Sequence, residues 1–234
     1  SLACPWAHRT VIYRRLKGLE EHITISVVNP IMLENGWTFE EGEGVIPDTV
    51  NNAEFLHQIY TAADPGYTGR VTVPVLWDRS HRTIVNNESS EIIRMLDEEF
   101  GQLTGHGPSF RPLDLENEID SLNDLIYTGF NNGVYKAGFA TSQDSYNEEV
   151  VRIFEVLDEV EEILATNRYL NGDRVTEADW RFLPTLLRFD PVYVGHFKCN
   201  LRRVADYPHV HNYMVDLMKT FDLADTFNLD HVKN

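Results

Sequence analysis

The sequence predicts an α/β domain followed by an all-α domain. Three observations predict it. Short β-branched runs alternate with helical patterns up to about residue 100. Residues 101–112 (GQLTGHGPSFRP) hold three Gly and two Pro, the composition of a linker. Every periodic segment after that stretch repeats at helical spacing. The chain has 234 residues and a mass of 27.0 kDa, enough for one or two domains. Its composition, 42% hydrophobic and 24% charged, is that of a globular protein with a core needing no disulfide or metal.

Each element follows from its local pattern. Residues 5–19 read as a helix, with Pro5 at its first position and Ile12, Leu16 and Leu19 at helical spacing. Residues 23–28 (ITISVV) are short and β-branched, a strand. Residues 29–70 are too long for an ordinary connection, and 53–62 is expected to be a helix within them. TVPVLWD (72–78) and RTIVNN (82–87) read as two strands joined by a turn at 78–81, followed by a helix over 88–100. Beyond the linker, helices are expected at 115–130, 148–164, 176–189 and 209–221. In 148–164, Val150, Phe154, Leu157, Glu161 and Leu164 recur at helical spacing, with a flanking apolar line at Val151 and Val160. Thr176 and Asp179 have the spacing of a capping box. The chain opens without Met inside a motif, so residues are expected upstream. One strand before Ser1 would complete a βαβ-ββα unit, a thioredoxin-like arrangement. The expected domains are 1–100 and 113–234.

Composition also excludes classes of function. Lys plus Arg number 20 against 37 Asp plus Glu, a formal charge of −17 spread evenly along the chain. Nucleic-acid and anionic-membrane binders draw their affinity from cationic side chains, so both partners are excluded. No apolar run reaches about 18 residues, so no membrane span is expected. Two cysteines, Cys4 and Cys199, make no disulfide framework, and a reducing cytoplasm is the default location.

Cys4 carries the chemistry. It lies where a loop enters a helix, directly before Pro5. First-turn amides lack internal partners and the helix dipole is positive there, so a thiolate is stabilised. Cysteines so placed fall from about 8.5 to between roughly 3.5 and 7.5. His8 and Arg9 are expected to add positive charge one turn on. Ala7 stands where a Cys-x-x-Cys motif has its second cysteine, so a disulfide on Cys4 must be resolved by an external thiol. Cys199 has no such setting and reads as a small buried residue.

Val73-Pro74 places a proline inside a strand, which removes a ladder donor. Alone it reads as an edge-strand proline with a trans bond. In thioredoxin-like proteins, which the element order resembles, a cis-Pro stands opposite the active cysteine and the residue before it pairs with the ligand backbone. The cysteine motif favours that reading. Asn87-Glu88-Ser89-Ser90 begins a helix. A serine and free amides at a helix start hold a carboxylate, and Glu88 can accept from an amino group. Together they suit a zwitterion such as the α-amino acid end of a γ-glutamyl group. Taken alone, the same residues read as a plain helix cap.

The ordered set Cys4-Pro5-Trp6-Ala7-His8-Arg9, Val73-Pro74 and Glu88-Ser89 resembles the glutathione transferase superfamily. NGWTF (35–39), NNGVYKAGFA (131–140) and RFDPVYVGHFKCN (188–200) sharpen this to glutathionyl-hydroquinone reductases, the xi-class, omega-like glutathione transferases. The resemblance covers nearly the whole chain. It implies a thioredoxin-like glutathione-binding domain, an α-helical glutathione-transferase domain and a ligand cleft between them. It implies that Trp37, Arg70, Val73, Pro74, Glu88 and Ser89 hold glutathione. It implies that Tyr135 and Tyr193 line a hydroquinone pocket, and it suggests a homodimer. Family members carry a strand before the cysteine motif and further sequence after FNLDHVKN, so a longer chain is expected.

The resemblance further implies that Cys4 thiolate attacks the sulfur of an S-glutathionyl-hydroquinone and the hydroquinone leaves. A second glutathione then releases glutathione disulfide. Two tyrosines could address the two hydroxyls across the ring and help protonate the leaving carbon. Rival readings are an omega-like thioltransferase or dehydroascorbate reductase and a non-catalytic module of the same fold. His209 and His211 point apart on a helix start with no third ligand near in sequence, so no metal is expected. Arg202-Arg203 reads as a solvated face or a carboxylate partner.

Overall fold

In the computed structural model, which describes residues 1–105 and 107–234, the first helix begins where Pro5 dictates, α1 (Pro5–Leu16). It ends three residues before the expected Leu19. Gly18 takes the left-handed conformation (φ +64°), and the Leu19 N–H returns to the Arg14 carbonyl, a helix-ending turn. After the long insertion come α2 (Leu56–Ala63), β1 (Leu76–Asp78), β2 (Thr83–Asn86) and α3 (Ser89–Glu98). A single helical turn, α4 (Gly101–Thr104), falls inside the stretch that composition marks as linker. Then follow α5 (Glu116–Ile126), α6 (Gly133–Gly138), α7 (Gln143–Thr166), α8 (Glu177–Arg188), α9 (Pro208–Thr220) and α10 (Leu229–Lys233). The order is α/β followed by helices, as the sequence predicts. No described helix is long and apolar enough to cross a membrane.

The residues divide into two units, Ser1–Gly107 with Asp225–Asn234, and Pro108–Ala224. The last ten residues, which the sequence reading gave to the helical domain, thus associate with the first unit.

In the first unit the expected strand at 23–28 does not form. Val27 makes an isolated antiparallel bridge with Ile46, and Val27 and Val28 are buried, but β-branched composition alone makes no ladder without a paired neighbour. The expected strand at 72–78 shrinks to β1, because Pro74 has no N–H to give. β1 pairs antiparallel with β2, Trp77 opposite Ile84 and Asp78 opposite Thr83, with an irregularity between Leu76 and Trp77. Segments 23–28 and 73–77 both line a cavity of about 790 Å³. Val28, Leu56, Ile59 and Tyr60 form a core cluster, against which Trp37, Val73 and Trp77 pack. Lys17 Nζ and Asp97 Oδ1, both buried, meet at 3.0 Å and tie α1 to α3. The terminal segment is held by His8 Nε2 to Thr226 Oγ1 (2.9 Å), by stacking of His8 on Phe227, and by His231 Nε2 against the Glu43 carbonyl oxygen.

The second unit buries the apolar stripes of its helices. Helix α7 is longer than expected because Ser142 accepts a hydrogen bond from the Ser145 N–H and caps it. Its buried face includes Ile153, Leu157 and Val160, while Val151, placed beside the stripe by spacing, is exposed. Glu161 takes the first N–H groups of α9 from His209 and Val210. The Thr176–Asp179 capping box forms as its spacing predicts. Asp179 is fully buried and also accepts from the Leu170 N–H and the Tyr213 hydroxyl; burial raises its carboxyl pKa against those bonds. Helix α5 ends at Ile126, short of the expected 130, because π-helical geometry takes over at Tyr127–Asn131. A second π-helical turn, Phe189–Tyr193, follows α8. Arg202 and Arg203 pair with carboxylates, Asp158 and Asp206.

Candidate functional site

Cys4 caps α1 in an extended conformation (φ −74°, ψ 122°), and its carbonyl receives the His8 N–H at 3.0 Å. The thiol is half-buried, and its Sγ lies 4.0 Å from the Val73 carbonyl oxygen. The Val73–Pro74 peptide bond is cis, so Cys4 and the cis-proline face each other as the sequence reading expects. The two basic residues behind Cys4 have different roles. His8 is committed to the terminal segment through Thr226. The Arg9 guanidinium lies 4.5 Å over the Trp6 ring and donates from Nη1 to Ser89 Oγ at 3.4 Å. Arg9 thereby links the cysteine helix to the start of α3.

Glu88 is the N-cap of α3. Its Oε1 accepts from the Ser90 N–H (3.1 Å), the Ser90 hydroxyl (3.1 Å) and the Ser89 hydroxyl (3.4 Å). One carboxylate oxygen is therefore spent on the helix end. Oε2 accepts no hydrogen bond among the described residues and can take a ligand ammonium. Ser89 is buried between Arg9 and Glu88. Trp37 is half-buried in the core cluster that Val73 also contacts, and its carbonyl accepts the Leu56 N–H at the head of α2. Arg70 is exposed, and no hydrogen bond or ion pair joins its side chain to Cys4, Glu88 or Ser89. Cys4 thus meets Val73, and the helix that carries Cys4 reaches Ser89 and Glu88 through Arg9, while Arg70 stays at the loop surface.

In the second unit, Tyr135 on α6 and Tyr193 in the second π-helical turn meet. Their hydroxyls are 3.2 Å apart and their ring centroids 5.9 Å. Tyr193 stacks on Phe197 (5.2 Å, 20°), and Tyr135 contacts both Phe197 and Phe139. A Cβ at Gly138 would collide with the Phe197 ring, so the close approach of α6 needs glycine there. Irregular helical turns of the π type often mark such sites. The sequence reading missed Phe139 and Phe197, although both lie inside the two motifs that carry the tyrosines. It expected the tyrosines to span a ring; their hydroxyls instead converge on one point. Cys199 is buried, and burial pushes its thiol up to about 12. No cluster of three or more His, Cys, Asp or Glu able to hold a metal exists among the described residues.

Residues 3–99 match the glutathione S-transferase N-terminal domain, and residues 143–215 match its C-terminal domain. Glutathionyl-hydroquinone reductase YqjG of Escherichia coli (strain K12) is 54% identical over the whole of this chain and 72% of its own length. The chain belongs to the glutathionyl-hydroquinone reductases, the xi-class glutathione transferases. Another member of that family, glutathionyl-hydroquinone reductase PcpF of Sphingobium chlorophenolicum, is 53% identical over 99% of this chain and 74% of its own length. Among solved xi-class structures, the glutathione-bound YqjG of E. coli K-12 superposes with a TM-score of 0.98, covering all of this chain and 76% of that one. The Xi transferase of Phanerochaete chrysosporium, 47% identical, gives 0.97 over all of this chain and 81% of that one.

Proposed function

We propose that this chain reduces S-glutathionyl-hydroquinones to hydroquinones at the expense of glutathione. The observation that carries the reading is a lone thiol at a helix start, facing a cis-proline, in a chain whose other cysteine is inert. Cys4 thiolate attacks the glutathione sulfur of the conjugate. The bond between that sulfur and the aromatic carbon breaks, and the carbon takes the electron pair and a proton. The enzyme is left as a Cys4–glutathione mixed disulfide. A second glutathione, as thiolate, attacks the glutathione sulfur of that disulfide, returns Cys4 as thiolate and leaves as glutathione disulfide. Two glutathionyl groups are oxidised and one aromatic carbon is reduced.

Glutathione is held by Trp37, Arg70, Val73, Pro74, Glu88 and Ser89. The Val73 backbone pairs with the tripeptide, Glu88 Oε2 accepts its ammonium, and Ser89 with the first amides of α3 takes its carboxylate. Tyr135 and Tyr193 bind the aromatic group. Because their hydroxyls converge, they address one phenolic oxygen and polarise the ring from that side. Phe139 and Phe197 supply the apolar walls. The family resemblance supports residues 1–100 as the glutathione domain, the helices from residue 113 to Ala224 as the helical domain, a homodimer and a cytoplasmic location.

A second reading has support of its own. A relative named glutathione S-transferase omega-like 2, from Schizosaccharomyces pombe, is 44% identical over all of this chain and 77% of its own length. A thioltransferase would need Cys4 and the glutathione site but not the tyrosine pair. The deciding experiment measures glutathione disulfide formation from a glutathionyl-hydroquinone against a small aliphatic mixed disulfide. Faster turnover of the aromatic conjugate is expected. Turnover of the aliphatic disulfide alone would make the chain a thioltransferase.

A further inference from the structure

The 29–70 insertion brings two tyrosines to the loops that hold glutathione, and neither is assigned a role above. Tyr60, on α2, is buried. Its hydroxyl donates to the Thr72 carbonyl oxygen at 2.7 Å. The Tyr60 phenol oxygen in turn accepts from the Thr72 N–H at 3.2 Å and from Asn87 Nδ2 at 3.1 Å. A phenol has one donor and two acceptor positions, and all three are used. One oxygen therefore grips both backbone groups of the residue before Val73 and the side chain of the residue before Glu88. Tyr67 lies tilted against Tyr60, with ring centroids 4.9 Å apart, and donates to the Arg70 carbonyl oxygen at 2.6 Å. A Cβ on Gly69 would sit 2.6 Å from the Tyr67 hydroxyl oxygen, so the loop passes that phenol as glycine.

Residues 70–75 lie outside the β1–β2 ladder, so the sheet does not fix them. The phenols do. We propose that Tyr60 and Tyr67 are positioning residues for glutathione, and that the insertion is a scaffold setting the spacing between the Val73 backbone and the start of α3. This rests on the glutathione reading given above. A ligand that pairs with Val73 at one end and Glu88–Ser89 at the other needs that spacing held before it arrives.

The test is calorimetric binding of glutathione to the full reduced chain, with kinetics alongside. Tyr60→Phe, which removes three part-buried bonds, is expected to raise the dissociation constant about tenfold, and Tyr67→Phe, which removes one exposed bond, about threefold. KM for glutathione should rise while kcat at saturating glutathione holds. A defect that only weakened the fold would not produce that split. Asn87→Ala, at an exposed residue, should weaken binding in the same direction. In the Tyr60→Phe background it should add little, because both act through one oxygen. If Tyr60→Phe fails to fold, Asn87→Ala and Tyr67→Phe carry the test. Wild-type affinity in the variants, or a fall in kcat with KM unmoved, overturns the positioning role and leaves the glutathione reading standing. A wild-type chain that binds no glutathione overturns both.

Discussion

The two units present their candidate ligand groups by different physics. The first uses fixed polar groups: a backbone carbonyl beside Cys4, an Arg9–Ser89 bond, and a Glu88 carboxylate half spent on its helix. Each has one geometry, and moving it leaves a donor or acceptor unmet. The second uses stacked rings, Tyr135, Phe139, Tyr193 and Phe197, with one pair of hydroxyls among them. Stacking tolerates offsets, so such a surface accepts related aromatic groups. The difference teaches that fixed polar groups suit one defined ligand, whereas stacked rings suit a chemical class.

Substitutions can break that comparison. The largest effect is expected from Cys4→Ala, which should abolish turnover of both aromatic and aliphatic substrates, read as glutathione disulfide formed. Residual turnover would place the nucleophile elsewhere. Next, Tyr135→Phe and Tyr193→Phe should each slow the hydroquinone reaction about a hundredfold, the lower end of what a positioned proton donor contributes. They should leave the aliphatic reaction near wild type; an equal loss in both would assign the tyrosines to glutathione or to folding. Glu88→Ala should weaken glutathione binding by about 1–3 kcal/mol, the cost of an unpaired ammonium. Calorimetry showing unchanged affinity would move the γ-glutamyl site. The smallest effect belongs to Cys199→Ser, with activity retained. Its counterpart is selective labelling. With the Cys199 thiol near 12, only Cys4 should alkylate at neutral pH, read by mass spectrometry of the folded chain.

What the sequence disclosed was local. Pro5 after Cys4, Thr176 three before Asp179, and Ser89 after Glu88 each define a helix start within a few residues, and those contacts form. What it hid was non-local. ITISVV has the side chains of a strand, but pairing depends on which backbone lies beside it, and only Val27 finds a bridge. Tyr60 looks like an ordinary core residue in LHQIYTAA; its role comes from Thr72 and Asn87, which folding brings to it. The tyrosines of the aromatic site were visible as residues, but the convergence of their hydroxyls depends on two π-helical turns that no apolar periodicity signals. Glu88 spends one carboxylate oxygen on capping α3, which leaves the other for the ammonium proposed above.

The first unit is assembled from two stretches separated by the whole of the second. On a ribosome, His8 and Glu43 emerge long before Thr226 and His231, the residues that cover them. The buried His8 ring must wait, exposed, while every helix of Pro108–Ala224 is synthesised. Completion of the cysteine-bearing unit is therefore a late event in biogenesis, timed by the growth of its neighbour. A chain stalled before Asp225 would hold Cys4 on a helix whose rear face is still uncovered.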